Sequence, residues 1–244
     1  MGLCNPALHL LITALSFLAT ATDHGAAVFT LHNNCRNTVW PGILPGAGKP
    51  TLMNGGLRLR PAQSVNITAP AGWSGRFWGR RFCSFDPSGR NGTCATGDCG
   101  GSLHCAGAGG VPPATLAEFT LGSPLDFYDV SLVDGYNMRM SVVPYGGSGG
   151  SCTRVSCISD LNRHCPTALQ VRRQGRVVGC KSACAAYGSP EYCCTGEYGS
   201  PKKCKPTKYS KVFKAFCPSA YSYAYDDQTS TFTCESAHYL ITFC

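Results

Sequence analysis

The sequence predicts a mainly β protein, a β-sandwich core into which a disulfide-rich helical lobe is inserted late in the chain. Short segments with an apolar residue at every second position recur along most of the chain, and turns rich in Gly and Pro separate them. The clearest helical spacing, in residues 208–216, lies among closely spaced cysteines. Elements of this kind pack as layers around a shared core.

The predicted strands follow one another in chain order. They cover residues 28–33, 38–40, 57–59, 65–68, 115–121, 127–132, 138–143, 220–225, 229–233 and 239–243. Pro41 is expected to end the second strand and Pro144 the seventh. Trp73, Phe77 and Trp78 are either sheet core with arginines extending outward, which we favour, or a surface that stacks on sugar rings.

Residues 208–216 are predicted to form an amphipathic helix. Tyr209, Val212, Phe213 and Phe216 fall at positions i, i+3, i+4 and i+7. The opposite face should be basic and continue into the preceding loop as a patch of lysines: Lys202, Lys203, Lys205, Lys208, Lys211 and Lys214. Such a patch is either a solvated helix face, which we favour, or a surface that binds a membrane.

The N-terminus and the cysteines indicate a secreted protein. Residues 8–18 are apolar but too short to span a bilayer, and Ala-Thr-Ala follows at residues 19–21, so residues 1–21 are predicted to be a signal peptide. Without Cys4, 16 of the 17 cysteines remain, which predicts eight disulfides. Zinc is the alternative, but the pairs Cys180/Cys184 and Cys194/Cys204 lack further ligands at zinc-finger spacing. We expect no metal, no cofactor and no free thiol.

The formal charge of +8 favours anionic partners. Membrane headgroups and acidic wall polymers are the realistic ones, since a secreted chain without a nucleic-acid-binding motif is not expected to bind nucleic acid. Solubility alone is the other explanation for the charge. Asn66 and Asn91 both begin an Asn-X-Thr acceptor pattern for N-glycosylation. Asn66 is the better candidate, because Asn91 lies three residues before Cys94, where a disulfide could close the loop first.

Residues 112–137 concentrate acidic side chains in a basic chain. They hold four of its thirteen acids: Glu118, Asp126, Asp129 and Asp134. Glu118 is opposite in phase to its apolar neighbours and should leave the apolar face, whereas Asp134, followed by glycine, fits a hairpin turn. Neighbouring strands would have to bring them together. A Glu and an Asp are the minimal equipment of a glycoside hydrolase, one as acid and one to activate water or to attack.

Several stretches of the chain resemble the thaumatin-like proteins, a plant pathogenesis-related family. They are TVWPGILPG, GWSGRFWGR, RNGTCATGDCGGSLHC, PPATLAEFTLG and the closing YLITFC. The resemblance covers about residues 28–244 and includes all 16 cysteines after the signal peptide. It implies a flattened β-sandwich core formed by residues 22–81, 112–151 and 218–244. A small disulfide-stapled loop lobe at residues 82–111, a disulfide-rich helical lobe at residues 152–217, and a cleft between the core and the helical lobe complete the expected architecture.

The resemblance also implies the disulfide pairing. The implied pairs are Cys35–Cys244, Cys83–Cys94, Cys99–Cys105, Cys152–Cys234, Cys157–Cys217, Cys165–Cys180, Cys184–Cys193 and Cys194–Cys204. Five of these eight pairs are also favoured by spacing alone, because they would close short local loops.

The family's cleft motif consists of an Arg, a Glu and three Asp. The residues that flank each position of the motif match those around Glu118, Asp129, Asp134 and Asp226. The resemblance thus places the motif's acids on these four residues, and it places Val111 at the position of the Arg. Glu118 would be the catalytic acid and Asp134 the base or nucleophile. Asp129 and Asp226 would bind sugar hydroxyls, and Asp126 matches no position of the motif.

The resemblance implies a secreted, monomeric antifungal defence protein of the plant apoplast, whose acidic cleft binds the β-1,3-glucan of fungal cell walls. The apoplast is expected because vacuolar members of the family carry a C-terminal extension. Alternatives are a weak endo-β-1,3-glucanase that uses Glu118 and Asp134, a protein that permeabilises membranes through its basic face, and a sweet-tasting or enzyme-inhibiting relative.

Overall fold

The computed structural model describes residues 26–122 and 124–244, so the predicted signal peptide lies outside the described residues. Within them the strands are β1 (Ala27–Asn33), β2 (Trp40–Pro45), β3 (Ser64–Ala69), β4 (Ser74–Arg80), β5 (Ser84–Phe85), β6 (Gly92–Thr93), β7 (Leu116–Thr120), β8 (Leu125–Ser131), β9 (Met140–Tyr145), β10 (Val155–Cys157), β11 (Gln170–Arg173), β12 (Arg176–Cys180), β13 (Phe232–Glu235) and β14 (His238–Phe243). The α-helices are α1 (Ala183–Tyr187), α2 (Pro190–Cys193), α3 (Lys208–Phe216) and α4 (Asp227–Ser230). Short 3-10 helices lie at Met53–Gly55, Leu161–His164, Thr167–Leu169 and Gly196–Tyr198.

Two five-stranded sheets form the predicted sandwich. The first has the strand order β10-β9-β14-β1-β3, and its β1–β14 pair is parallel while the others are antiparallel. The second has the order β13-β8-β7-β4-β2 and is antiparallel throughout. The first sheet takes its edge strand β10 from the range predicted for the helical lobe, so the sheet extends further along the chain than expected.

Aromatic side chains fill the space between the sheets. Phe29 of β1 lies 4.7 to 5.8 Å, between ring centroids, from Trp73, Phe77, Phe119 and Tyr239. All five side chains are buried. The strands alternate as the sequence predicts, since β1 and β14 each turn every second residue inward. The interpretation of Trp73 and Phe77 as core is therefore confirmed.

A second apolar cluster lies on the opposite face of the second sheet. There Trp78 and Leu116 pack with the disulfide of Cys99 and Cys105, which belongs to the small lobe. Arg80 is fully buried beneath this lobe instead of extending outward, so the expectation for this arginine is wrong. Its guanidinium donates hydrogen bonds of 2.6 to 3.3 Å to four backbone carbonyls, which replace the water it has lost.

The predicted helix over residues 208–216 is confirmed as α3. A capping box between Thr207 and Ser210 starts it, and Phe213 is buried on its apolar face. The expectation that Lys214 faces away from the protein is wrong. Its Nζ donates hydrogen bonds to the Ala220 carbonyl and to Ser230 Oγ. Within the described ranges no helix is long and apolar enough to cross a membrane.

Some predicted strands are wrong for identifiable reasons. β2 runs through Pro41 to Pro45 because it is an edge strand, where a missing N–H is tolerated. β9 runs through Pro144 although it lies between β10 and β14, because Pro144 lies beyond the residues of β9 that pair with β10. Residues 57–59 and 220–225 form only isolated bridges, and residues 229–233 are divided between α4 and β13.

Eight disulfides join the cysteines in the pairs that the resemblance implies. Four of them lie within the helical lobe, whose helices and strands are too short to form a large core of their own. The pair Cys35–Cys244 ties the end of β1 to the C-terminus, and Cys152–Cys234 ties the start of the lobe to β13. The second of these links holds the start of the lobe against the second sheet.

Candidate functional site

Three charged side chains form a row across neighbouring strands of the second sheet. Arg76 of β4 pairs in register with Glu118 of β7, and Glu118 pairs with Asp129 of β8. Residues directly opposite one another in this way have Cβ atoms about 4.5–5.5 Å apart. Arg76 Nε lies 3.6 Å from Glu118 Oε1. The expectation that neighbouring strands bring Glu118 and Asp129 together agrees with this register.

Asp134 joins the row from a turn. The turn follows β8, and the N–H of Gly135 closes it by donating to the carbonyl of Leu132 at 2.9 Å. Gly135 has a φ of +91°, which only glycine adopts without strain. The predicted hairpin is wrong, because the turn carries the chain from the second sheet into the first, where β9 lies.

These residues line an open cleft with two connected parts. One part, about 250 Å³, is lined by Arg76, Leu116, Glu118, Asp129, Ser131, Val133, Asp134, Tyr221 and Ala224. The other, about 340 Å³, is lined by Leu44, Pro45, Gly46, Ser74, Gly75, Arg76, Glu118, Phe119, Thr120, Phe127, Tyr128, Asp129 and Thr231. Arg76, Glu118 and Asp129 line both parts, so the charged row lies at the centre of the cleft.

The wall of the cleft differs from the expected one. None of the described residues in the range 152–217 lines either part; the wall is made by Val133, Ala224 and Tyr221. Behind Val133 and Ala224 lies a smaller cavity of about 50 Å³, and there the helical lobe contributes Tyr192 and Tyr209. The lobe therefore supports the wall of the cleft from behind.

Burial raises the pKa of the three carboxyl groups in the cleft, those of Glu118, Asp129 and Asp134. The pKa of Asp129 rises to about 8, because burial and the charge of Glu118 both disfavour its ionised form, while Arg76 partly opposes them. Burial is also the main cause of the raised pKa of Glu118 and of Asp134, again opposed by Arg76. Among the described residues, Oδ1 of Asp129 is buried without a hydrogen-bond partner. The centre of the cleft therefore holds a proton near neutral pH, on a carboxyl group of which one oxygen is buried without a partner.

Asp226 does not face this centre. Its Oδ2 lies 3.0 Å from Lys214 Nζ and accepts hydrogen bonds from the backbone N–H and the hydroxyl of Ser222. Its neighbour Asp227 is the aspartate linked to the cleft, because it accepts a 2.9 Å hydrogen bond from the hydroxyl of Tyr221 and raises the pKa of Asp129. The two aspartates are adjacent in the sequence Tyr-Asp-Asp, so the sequence does not show which of them faces the cleft.

The cation of the site is Arg76 rather than a residue at position 111. Val111 is exposed and lines neither part of the cleft. Val111 stands where the resemblance places the Arg of the motif, and Arg76 supplies the positive charge that acts on the carboxyl groups. Sequence analysis missed Arg76 because nothing in the chain reveals that β4 pairs with β7 in the register that opposes it to Glu118.

Asp126 has a separate, structural position. It is buried on the core side of β8, where its carboxylate accepts hydrogen bonds from the Tyr239 hydroxyl at 2.8 Å and from the Gly122 N–H at 3.1 Å. Tyr239 belongs to β14, so this bond ties the two sheets together. Its exclusion from the cleft motif agrees with this position.

Phe127 adds an apolar surface to the cleft. It lies two residues before Asp129 on the same face of β8, and 47% of it is exposed. Thr120 pairs with it from β7, and Ser74 pairs with Thr120 from β4. The described residues contain no cluster of three or more His, Cys, Asp or Glu that could hold a metal ion. The cleft thus combines hydroxyl groups, an aromatic ring and carboxyl groups, the usual contacts of a carbohydrate.

Comparison with known proteins gives a consistent family assignment. The sequence profile of the Thaumatin family matches residues 33–244. "Pathogenesis-related thaumatin-like protein 3.5" of Cryptomeria japonica is 59% identical over 237 residues, which are 97% of this chain and 98% of that protein. "Glucan endo-1,3-beta-glucosidase" of Prunus avium is 48% identical over 242 residues, 96% of this chain and 98% of that protein.

Among solved structures, the fold is similar to that of a laminaripentaose-producing beta-1,3-glucanase in complex with laminaritetraose. The TM-score is 0.56 and the sequence identity 13%, with 89% of this chain and 98% of that chain covered. At this identity the similarity extends to the fold alone.

Proposed function

Because the chain belongs to the thaumatin family, we propose that it is a secreted antifungal defence protein whose acidic cleft binds β-1,3-glucan. The observation that carries the proposal is the row of Arg76, Glu118 and Asp129 at the centre of an open cleft. The relative from Prunus avium that bears the name "Glucan endo-1,3-beta-glucosidase" supports this class of ligand. Fungal walls are the source of glucan that a defence protein would meet.

The chemistry of the cleft suits a neutral glucan. Carboxyl oxygens of Glu118 and Asp134 and the Arg76 guanidinium can exchange hydrogen bonds with sugar hydroxyls. The exposed ring of Phe127 provides a flat face on which a pyranose can stack. Because Phe127 and Asp129 follow one another along β8, we expect the glucan chain to run along the strands.

A second candidate function is weak endo-β-1,3-glucanase activity with Glu118 as acid and Asp134 as base or nucleophile. The raised pKa of Glu118 favours a group that is protonated and can protonate the leaving oxygen. The structure modifies this scheme, because Asp129 stands directly opposite Glu118 and its own pKa is raised to about 8. In hydrolysis, Glu118 and Asp129 together would supply one proton to the leaving oxygen. Asp134 would have to be ionised to act as base or nucleophile.

The decisive experiment incubates the protein with insoluble β-1,3-glucan and measures both retention and the release of reducing ends. Glu118→Gln and Asp129→Asn are the test variants, and Asp160→Asn, in an exposed ion pair with Arg163, is the matched control. We expect retention by the parent and the control, and loss in the test variants. Release of reducing ends that Glu118→Gln abolishes would establish hydrolysis. No retention of the parent would refute both functions.

Secretion and glycosylation belong to the same proposal. The eight disulfides fit an oxidising compartment such as the apoplast. Asn66 is exposed on β3, and Asn91 is exposed but donates its amide N–H to Asp86 at 3.0 Å. Mass spectrometry of the protein purified from leaf apoplast should find a chain that begins near residue 22, with a glycan on Asn66. A chain that retains residues 1–21 would contradict secretion through a cleaved signal.

A further inference from the structure

The net positive charge of the protein comes from one lobe. Residues 152–217 contain twelve Lys and Arg but only three Asp and Glu. The rest of the chain contains nine Lys and Arg and ten Asp and Glu. The lobe thus accounts for the whole net charge of +8, and the part of the molecule that carries the acidic cleft is close to neutral. A charge concentrated in this way creates a local field that a neutral glucan does not require.

Five exposed lysines of the lobe lie within residues 202–211, and one of them, Lys208, contacts a group of tyrosines. Lys208 Nζ lies 5.1 Å from the centre of the Tyr209 ring, and the Tyr209 hydroxyl is 2.8 Å from that of Tyr187. Tyr192 completes a trio whose ring centroids are 5.5 to 5.7 Å apart. We call these three tyrosines with Lys202, Lys203, Lys205, Lys208 and Lys211 the lysine–tyrosine face.

The lysines of this face have no acidic partners among the residues that the structure describes. Within the described ranges the ion pairs of the lobe are Arg163 with Asp160, and Lys214 with Asp226. Neither pair involves a lysine of the face, and all five of these lysines are exposed. Their ammonium groups are therefore available to an external anion at little cost in broken contacts.

We propose that the lysine–tyrosine face binds a polyuronate, a wall polysaccharide that carries a carboxylate on each sugar. Ammonium groups would pair with the carboxylates, and tyrosine rings would contact the sugar rings. The site is separate from the acidic cleft, so the proposal goes beyond glucan binding. It would anchor the protein in an anionic wall matrix while the cleft remains free.

A polyuronate fits this surface better than a membrane does. Membrane-binding helices present a continuous apolar face to the bilayer, but the apolar face of α3 is turned into the protein, with Phe213 buried and Tyr209 and Phe216 packed against the core. The exposed large apolar side chains described in residues 152–217 are Ile158 and Tyr187. The lobe thus offers charge and ring faces without an apolar surface to insert.

The test measures binding to polygalacturonate, to its methyl ester and to vesicles containing phosphatidylserine. The test variant combines Lys203→Gln, Lys208→Gln and Lys211→Gln. The matched control combines Lys49→Gln, Arg58→Gln and Arg60→Gln, which removes the same charge from exposed positions of the core. Measurements at about 10 mM and about 0.3 M salt separate screened from unscreened attraction.

We expect the parent to bind polygalacturonate at low salt and not the neutral ester. The test variant should bind about tenfold more weakly and the control within about twofold, as expected for the loss of three exposed ion pairs. Equal weakening in both variants, or no binding to polygalacturonate, would overturn the proposal. Binding to the vesicles alone would assign the face to membranes and overturn it too. Retention on β-1,3-glucan should be unchanged in the test variant, so the two sites can fail separately.

Discussion

Replacing Asp129 by Asn should stabilise the protein in a pH-dependent way. The pKa of Asp129 is raised from 3.8 to about 8 in the folded protein, so between these values the folded state binds a proton that the unfolded state has released. Stability therefore falls as the pH rises through this window, by at most about 1.4 kcal/mol per pH unit. Asparagine cannot ionise, and the variant avoids this loss.

The magnitude follows from the window. Between about pH 5 and about pH 8, the ionisation of Asp129 can lower the free energy of unfolding by at most about 4 kcal/mol. Since the cleft is open to water and Arg76 partly compensates the charge, we expect the advantage of Asp129→Asn over the parent to grow by about 2 kcal/mol over this range. The variant should lose glucan retention at the same time, which is the exchange of stability for function expected of a binding site.

Guanidinium unfolding with the disulfides intact measures this difference at both pH values. Asp160→Asn is the control, since its exposed ion pair is worth less than about 1 kcal/mol at either pH. An advantage of Asp129→Asn that is the same at both pH values, or that shrinks as the pH rises, would refute the assignment of a raised pKa to this carboxyl group.

Four further predictions follow, three from single contacts and one from the disulfides. Arg76→Gln should lower glucan retention severalfold and move the titration of the cleft carboxyl groups to higher pH, because Arg76 lowers their pKa values; NMR titration checks this. Asp126→Ala should destabilise the fold by about 2–3 kcal/mol in guanidinium unfolding, since it leaves the buried Tyr239 hydroxyl without its acceptor. Lys214→Met should cost about 1–3 kcal/mol in the same assay, because Asp226 loses its ammonium partner. A melting temperature that reductant leaves unchanged would contradict stabilisation by the eight disulfides.

The sequence could predict those parts of the fold that depend on local pattern. Alternation located β1, β3, β7, β8 and β14 to within a few residues, and helical spacing located α3. It failed at β2, where prolines indicated a break but an edge position tolerates them. It also failed at residues 220–225, whose alternating tyrosines imitate a strand although only Tyr221 bridges to β8.

The candidate site was predictable only in part, for a physical reason. Glu118 could be placed on the outer face of its strand by phase, and the acids of residues 112–137 were already close in sequence. Arg76 and Asp227 could not be assigned, because their positions depend on strand register and on a turn that selects one of two adjacent aspartates. The pKa of Asp129 depends on the same long-range contacts.

The most direct test of the account is an NMR titration of the isotope-labelled protein with a β-1,3-gluco-oligosaccharide. We expect the largest shifts of backbone signals at Arg76, Glu118 and the segment from Phe127 to Asp129, and none on the lysine–tyrosine face. Shifts confined to surfaces outside the cleft, or no shifts at saturating sugar, would contradict the claim that the acidic cleft is the glucan site.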